Sequence, residues 1–135
     1  MSTYGIGVKE VAFVGYPVTD MERSRKFYGE VLGLKESMAV EAEGGSHHWI
    51  EYDVAGVPLA LAQASEEWQP NPHGGGVSLE VADMEAALAH LKENGVEPVI
   101  PIGDFPACRI CVIPDPDGNG IALHQRKPNH PDHTH

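Results

Sequence analysis

Val18-Thr19-Asp20-Met21-Glu22 recurs as Val81-Ala82-Asp83-Met84-Glu85, with four of five positions identical at an offset of 63. A match this short decides nothing alone, so its flanks must. Val14, Tyr16 and Val18 alternate ahead of the first copy, as Val77, Leu79 and Val81 do ahead of the second. A period of two reads as a half-buried strand. Behind each copy the period changes. Met21, Ser24, Tyr28 and Val31 share one helix face, and Met84, Leu88 and Leu91 share another. Asp20 and Asp83 suit the N-cap, where a short carboxylate accepts from free backbone N–H groups. Thr19 and Glu22 offer a capping box as the alternative. Gly33 and Gly95 fit the left-handed turn that ends a helix.

Three further strands follow each helix, at about 34–41, 47–54 and 58–63, and again at about 96–102, 107–113 and 120–126. Leu59-Ala60-Leu61 aligns with Ile121-Ala122-Leu123 at an offset of 62. The chain thus reads as α+β, with two tandem βαβββ modules. Module one spans about 8–65 and module two about 76–126, within a single domain over 1–127. Residues 66–76 (EEWQPNPHGGG) form a Pro- and Gly-rich linker. The polar tail 128–135 is expected to be disordered. With one helix per module, only one face of each sheet is covered. The other lines a cavity, as the inner wall of a curved, cup-like mixed sheet.

Composition narrows the function. The 135 residues carry 20 Asp+Glu against 9 Lys+Arg, a net charge of −11. That field repels phosphate backbones and anionic lipid, so nucleic acid is excluded as a partner. No apolar run approaches the ~20 residues that cross a bilayer. Met1–Lys9 lacks a basic segment followed by an apolar one, so the expected location is cytoplasmic. Cys108 and Cys111 form a C-x-x-C, but on a strand they stand ~10 Å apart on opposite faces. They read as free structural thiols.

Val18-x-Asp20-Met21-Glu22-Arg23-Ser24-x-x-Phe27-Tyr28-x-x-x-Leu32-Gly33-Leu34, together with Asp115-Pro116-Asp117-Gly118-Asn119, resembles the vicinal oxygen chelate superfamily. This superfamily includes glyoxalase I, fosfomycin-resistance enzymes, extradiol dioxygenases and bleomycin-binding resistance proteins. The resemblance covers about residues 8–126 and implies a homodimer. It also implies metal ligands on the first and last strands of each half, which here fall at Phe13, Ala60, Gly76 and Ala122. The repeat supports that placement, pairing Phe13 with Gly76 and Ala60 with Ala122. None of the four carries a donor for a divalent cation. No cofactor is expected, and a divalent metal is left open only at a non-standard site using His47, His48 or His73.

By alternation, Ser78 and Glu80 share the face of Gly76, and His124 that of Ala122. A carboxylate in an apolar cup has its pKa raised and can act as a base, with His124 moving protons near neutrality. The plainer alternative is a wetted strand end at Glu80 and a rim hydrogen bond at His124. Phe13, Trp49, Tyr52 and Ser78 are candidate ligand contacts, the aromatics for stacking. Arg109 is a candidate for holding an anionic group. His90 reads as solvated, and His130, His133 and His135 as a tail that picks up metal loosely. Asp115-x-Asp117-x-Asn119 imitates a calcium loop, but Arg126 stands where a bidentate Glu is needed, so the segment reads as a hairpin turn. The expected function is small-molecule binding in the cup. The alternatives are a glyoxalase-like lyase or isomerase, or a dioxygenase-type enzyme, with a non-standard metal or metal-free acid/base chemistry. An accessory or regulatory subunit comes last.

Overall fold

Both Asp-Met pairs start helices. In the computed structural model, which describes residues 5, 7, 9–41 and 44–128, Asp20 Oδ1 accepts from the Arg23 N–H at 3.1 Å. Asp83 Oδ1 accepts from the Ala86 N–H at 3.1 Å. Each such cap is worth about 1 kcal/mol. The Thr19/Glu22 capping box does not form, because Thr19 turns to Asp117 instead.

The element order is β1 (Val14–Val18), α1 (Met21–Lys26), a π-helical turn (Phe27–Val31), β2 (Lys35–Glu41), β3 (His47–Val54) and β4 (Val57–Gln63). The second half repeats it with β5 (Ser78–Glu80), α2 (Met84–Glu93), β6 (Ile100–Asp104), β7 (Cys108–Pro114) and β8 (Gly120–Arg126). Two mixed sheets result, ordered β1-β4-β3-β2 and β5-β8-β7-β6. In each, the first strand pairs parallel with the last and the others pair antiparallel. The repeat in sequence is therefore a repeat in topology.

Two details depart from the sequence reading. The first helix widens into a π turn, with the Leu32 N–H bonding to Phe27 O at 2.9 Å, and adjacent Phe27 and Tyr28 are both buried. The sixth strand starts at Ile100 and not at 96. The N–H groups of Gly95 and Val96 are used to close α2, on Lys92 O at 3.0 Å and Leu91 O at 2.9 Å. Gly33 and Gly95 both take positive φ, +74° and +76°, at the helix ends.

The core lies between each sheet and its helix. Tyr16, Ile50, Tyr52, Leu59 and Leu61 meet Met21, Phe27 and Tyr28; Cys111, Ile113, Ile121 and Leu123 meet Met84 and Leu91. Cys111 packs its sulfur 3.8 Å from that of Met84, and both cysteines are free. No helix among the described residues is long and apolar enough to cross a membrane. The expected tail disorder over 128–135, with His130, His133 and His135, falls outside the described residues except for Pro128.

The two modules are joined by the turn that resembled a calcium loop. Asp115 is buried, and its Oδ1 accepts from the N–H groups of Asp117 (2.9 Å) and Asn119 (2.8 Å), which shapes the hairpin. Its Oδ2 accepts from the Tyr28 hydroxyl at 2.9 Å and from Asn119 Nδ2 at 2.9 Å. Asn119 Nδ2 also donates to Pro17 O at 2.9 Å. Burial, then the Asp115 charge, push the Tyr28 hydroxyl far above its ordinary pKa, so it stays a donor. Beside it, the Tyr16 hydroxyl donates to Gly120 O at 3.0 Å and accepts from the Val77 N–H at 2.5 Å. Strand β1 and the π-helical turn of module one are thus pinned to module two.

Candidate ligand-binding site

Strand register places small residues on the helix-free face of the first sheet. Gly15, Ala60, Glu51 and Met38 form one row, and Pro17, Ala62, Trp49 and Val40 the next. The space left at Gly15 is filled by rings. A Cβ there would stand 3.0 Å from Trp68 Cη2 and 3.2 Å from Phe13 Cε1. Phe13 meets Trp49 edge to face, with centroids 5.0 Å apart. Trp49 Nε1 donates to Glu51 Oε2 at 2.7 Å, which fixes the indole. Phe13 and Trp68 remain 44% and 39% exposed, which leaves ring surface for a ligand.

The second sheet repeats the arrangement. Ser78, Ala122, Val112 and Ile100 make one row; Glu80, His124, Ile110 and Gly103 make the other. Gly103 is covered by a ring in its turn, since a Cβ there would stand 2.8 Å from Phe105 Cε2. Ser78, Ala122, Val112 and Ile100 line an open cavity of about 420 Å³, with Pro72 and His73 of the linker as another wall. Trp68 and Phe105 were missed by sequence reasoning. Both lie outside the strands, so no periodicity marks the face they cover.

The four positions that the resemblance gives to metal ligands do not fit a metal. Phe13 is a ring over Gly15, and Ala60 is wholly buried. A Cβ on Gly76 would lie 2.6 Å from both Gly120 O and the Tyr16 hydroxyl, so no coordinating side chain has room to start there. Ala122 offers a methyl group. Among the described residues, no three His, Cys, Asp or Glu side chains gather as a metal-binding group. His47 lies 3.8 Å from one carboxylate oxygen each of Glu22 and Glu41, and His48 is exposed. His73 is on the cavity wall, away from both. His90 is exposed but not merely solvated, its Nε2 lying 2.9 Å from Val31 O.

Glu80 and His124 do come together, with Oε1 and Nδ1 2.6 Å apart. Glu80 Oε2 accepts from the Arg126 N–H at 2.8 Å, and Arg126 Nη1 lies 3.5 Å from Oε1. The expected rise in the Glu80 pKa is overturned. Desolvation pushes it up, but the hydrogen bonds from His124 and the Arg126 backbone, then the Arg126 charge, bring it below the ordinary carboxylate value. Glu80 is therefore held as an anion.

Two expected contacts belong to the other face. Tyr52 pairs with Leu59 on the helix side, where it is buried and its hydroxyl donates to Arg25 O at 3.3 Å. Burial chiefly, and then the Glu36 charge, push that hydroxyl up to about 12. Arg109 pairs with Gln125, between inward-facing Ile110 and Cys108, and its Nη1 holds Glu85 of α2 at 2.5 Å. Strand parity removes both from the site.

A family model described as the Glyoxalase/Bleomycin resistance protein/Dioxygenase superfamily matches residues 10–123. The chain belongs to that superfamily. Among solved structures, TnmS3, an antibiotic binding protein from Streptomyces sp. CB03234, is similar at 27% identity with a TM-score of 0.74. The match covers 91% of this chain and 100% of that one. A glyoxalase/bleomycin resistance protein from the same strain is 29% identical with a TM-score of 0.66, over 82% and 96% of the two chains. The fosfomycin resistance protein FosX from Listeria monocytogenes shares only the fold, at 13% identity and a TM-score of 0.69 over 90% and 96%. No curated protein matches. The glyoxalase/bleomycin-resistance fold accounts for the paired sheets and leaves the chemistry to the residues on their open faces.

Proposed function

We propose that this chain binds a small, flat organic molecule on the helix-free faces of its sheets and uses no metal to do so. The carrying observation is the cluster of Phe13, Trp49 and Trp68 over Gly15, with Phe13 at a position where a metal enzyme of this fold would need a donor. Similarity to an antibiotic binding protein supports the same reading. Apolar side chains on these faces, Met38 and Val40 on one sheet and Ile100 and Phe105 on the other, stay exposed. They suit both a ligand and a second copy of the chain, so a homodimer in the cytoplasm is part of the proposal. The enzyme reading rests on the Glu80–His124 pair, and the depressed Glu80 pKa weakens it, since proton abstraction needs a stronger base.

The test is elemental analysis of protein ending at Lys127, which removes the tail histidines. Less than a tenth of an equivalent of Ni, Zn, Fe, Mn or Co is expected, and one equivalent per chain would overturn the metal-free reading. Calorimetric titration with 2-methoxynaphthalene tests the aromatic face. Trp49→Ala should weaken binding about tenfold, roughly 1.4 kcal/mol. An unchanged affinity would remove the first sheet from the site.

A further inference from the structure

The Glu80–His124 pair has an unspent atom. Glu80 is ionised and so can only accept, and it already takes the Arg126 N–H on Oε2. Its contact with His124 Nδ1 at 2.6 Å therefore requires that nitrogen to carry the proton. In the neutral ring this leaves Nε2 with a lone pair, and no hydrogen-bond partner for it exists among the described residues. Arg126 follows His124 on the same face and holds Glu80 from the far side, and the ring's other neighbours there are apolar. Ile110 stands beside it on β7, Ala122 precedes it on β8, and the Phe105 ring covers Gly103 at the end of the row. The adjacent row, ~7 Å away along the strands, borders the 420 Å³ cavity.

We infer that His124 Nε2 is a fixed hydrogen-bond acceptor for an acidic hydroxyl on the ligand, a phenol or enol, with Glu80 as its positioning residue. This inference rests on the binding reading above and adds the chemistry that selects the molecule. A ring lying along the row rests on Ile110 and reaches Phe105, while its hydroxyl at one edge meets Nε2. An acceptor flanked by Ile110 and Ala122 discriminates between ligands that can donate and ligands that cannot. A ligand whose hydroxyl is blocked cannot donate, and leaves a desolvated lone pair without a partner. Ser78, one row away, is a hydroxyl and would suit a carbonyl on the same molecule.

The experiment compares 2-naphthol with 2-methoxynaphthalene by calorimetry on the full chain. Naphthol should bind at least tenfold more tightly. His124→Phe should cut that preference below twofold. Glu80→Gln, which keeps the shape, should lower the preference and move the His124 ¹⁵N spectrum from the single Nδ1–H tautomer to a mixture. A merely structural role for Glu80 would leave the tautomer unchanged, and that result overturns the positioning role. Equal binding of both probes by the unaltered chain overturns the acceptor while leaving aromatic binding in place. Binding of neither overturns the binding reading itself and takes this one with it.

Discussion

Asp115→Ala is expected to lower the free energy of unfolding by about 4 kcal/mol. The substitution removes one carboxylate and strands several donors. The Tyr28 hydroxyl loses its acceptor inside the protein, Asn119 Nδ2 keeps only Pro17 O, and the N–H groups of Asp117 and Asn119 lose theirs in the turn. A hydrogen bond to a charged group contributes about 1.5–3 kcal/mol, and an orphaned buried donor costs about 1–3 kcal/mol more. Urea denaturation reads the loss directly as a fall in midpoint at constant slope. Tyr28→Phe in the same background should recover part of it, because the stranded hydroxyl is gone. The cycle of single and double variants then gives the coupling between the two side chains. A loss below 1 kcal/mol, or no coupling with Tyr28, would mean that the hairpin is not what joins the halves.

Gly76→Ala is expected to cost about 2–3 kcal/mol for a single methyl group. The added carbon would sit 2.6 Å from Gly120 O and 2.6 Å from the Tyr16 hydroxyl. One is backbone and the other is the end of a buried, hydrogen-bonded ring, so neither can move cheaply. Gly75→Ala is the control. Nothing lies within 4 Å of a Cβ there, and the effect should stay within about 0.5 kcal/mol. Thermal unfolding followed by circular dichroism distinguishes the two. Equal midpoints for both variants would show that the seam is slack. The same contact bears on metal binding, because any ligand side chain at this position must begin with the carbon that does not fit.

How much of this was legible in the sequence depended on distance along the chain. The caps at Asp20 and Asp83, the left-handed glycines and the alternating strands are local signals, and each stands where the pattern placed it. The start of β6 moved because Val96 spends its N–H on α2, a competition between neighbouring elements that periodicity does not register. The sequence offers Trp49 and Tyr52 alike as ligand contacts, yet residues three apart on a strand face opposite ways. The alternation of Ile50 and Tyr52 already assigned the tyrosine to the core. Arg109 was lost to the same parity. Trp68 and Phe105 were not legible at all, because what locates them is the vacancy above Gly15 and Gly103, and that vacancy exists only once the sheets are built.

The bond between Tyr28 and Asp115 spans 87 residues. During synthesis the first helix leaves the ribosome long before its partner turn exists, so its tyrosine hydroxyl has no acceptor to be buried against. The first half can form strands and helix early, but its packing closes only when nearly the whole domain has emerged. Such long-range closure raises contact order and slows folding. It also leaves the apolar faces of the first half open to wrong partners during the wait. Duplication supplied two similar halves, and the clasp made them one folding unit, in which the last strands synthesised complete the first helix.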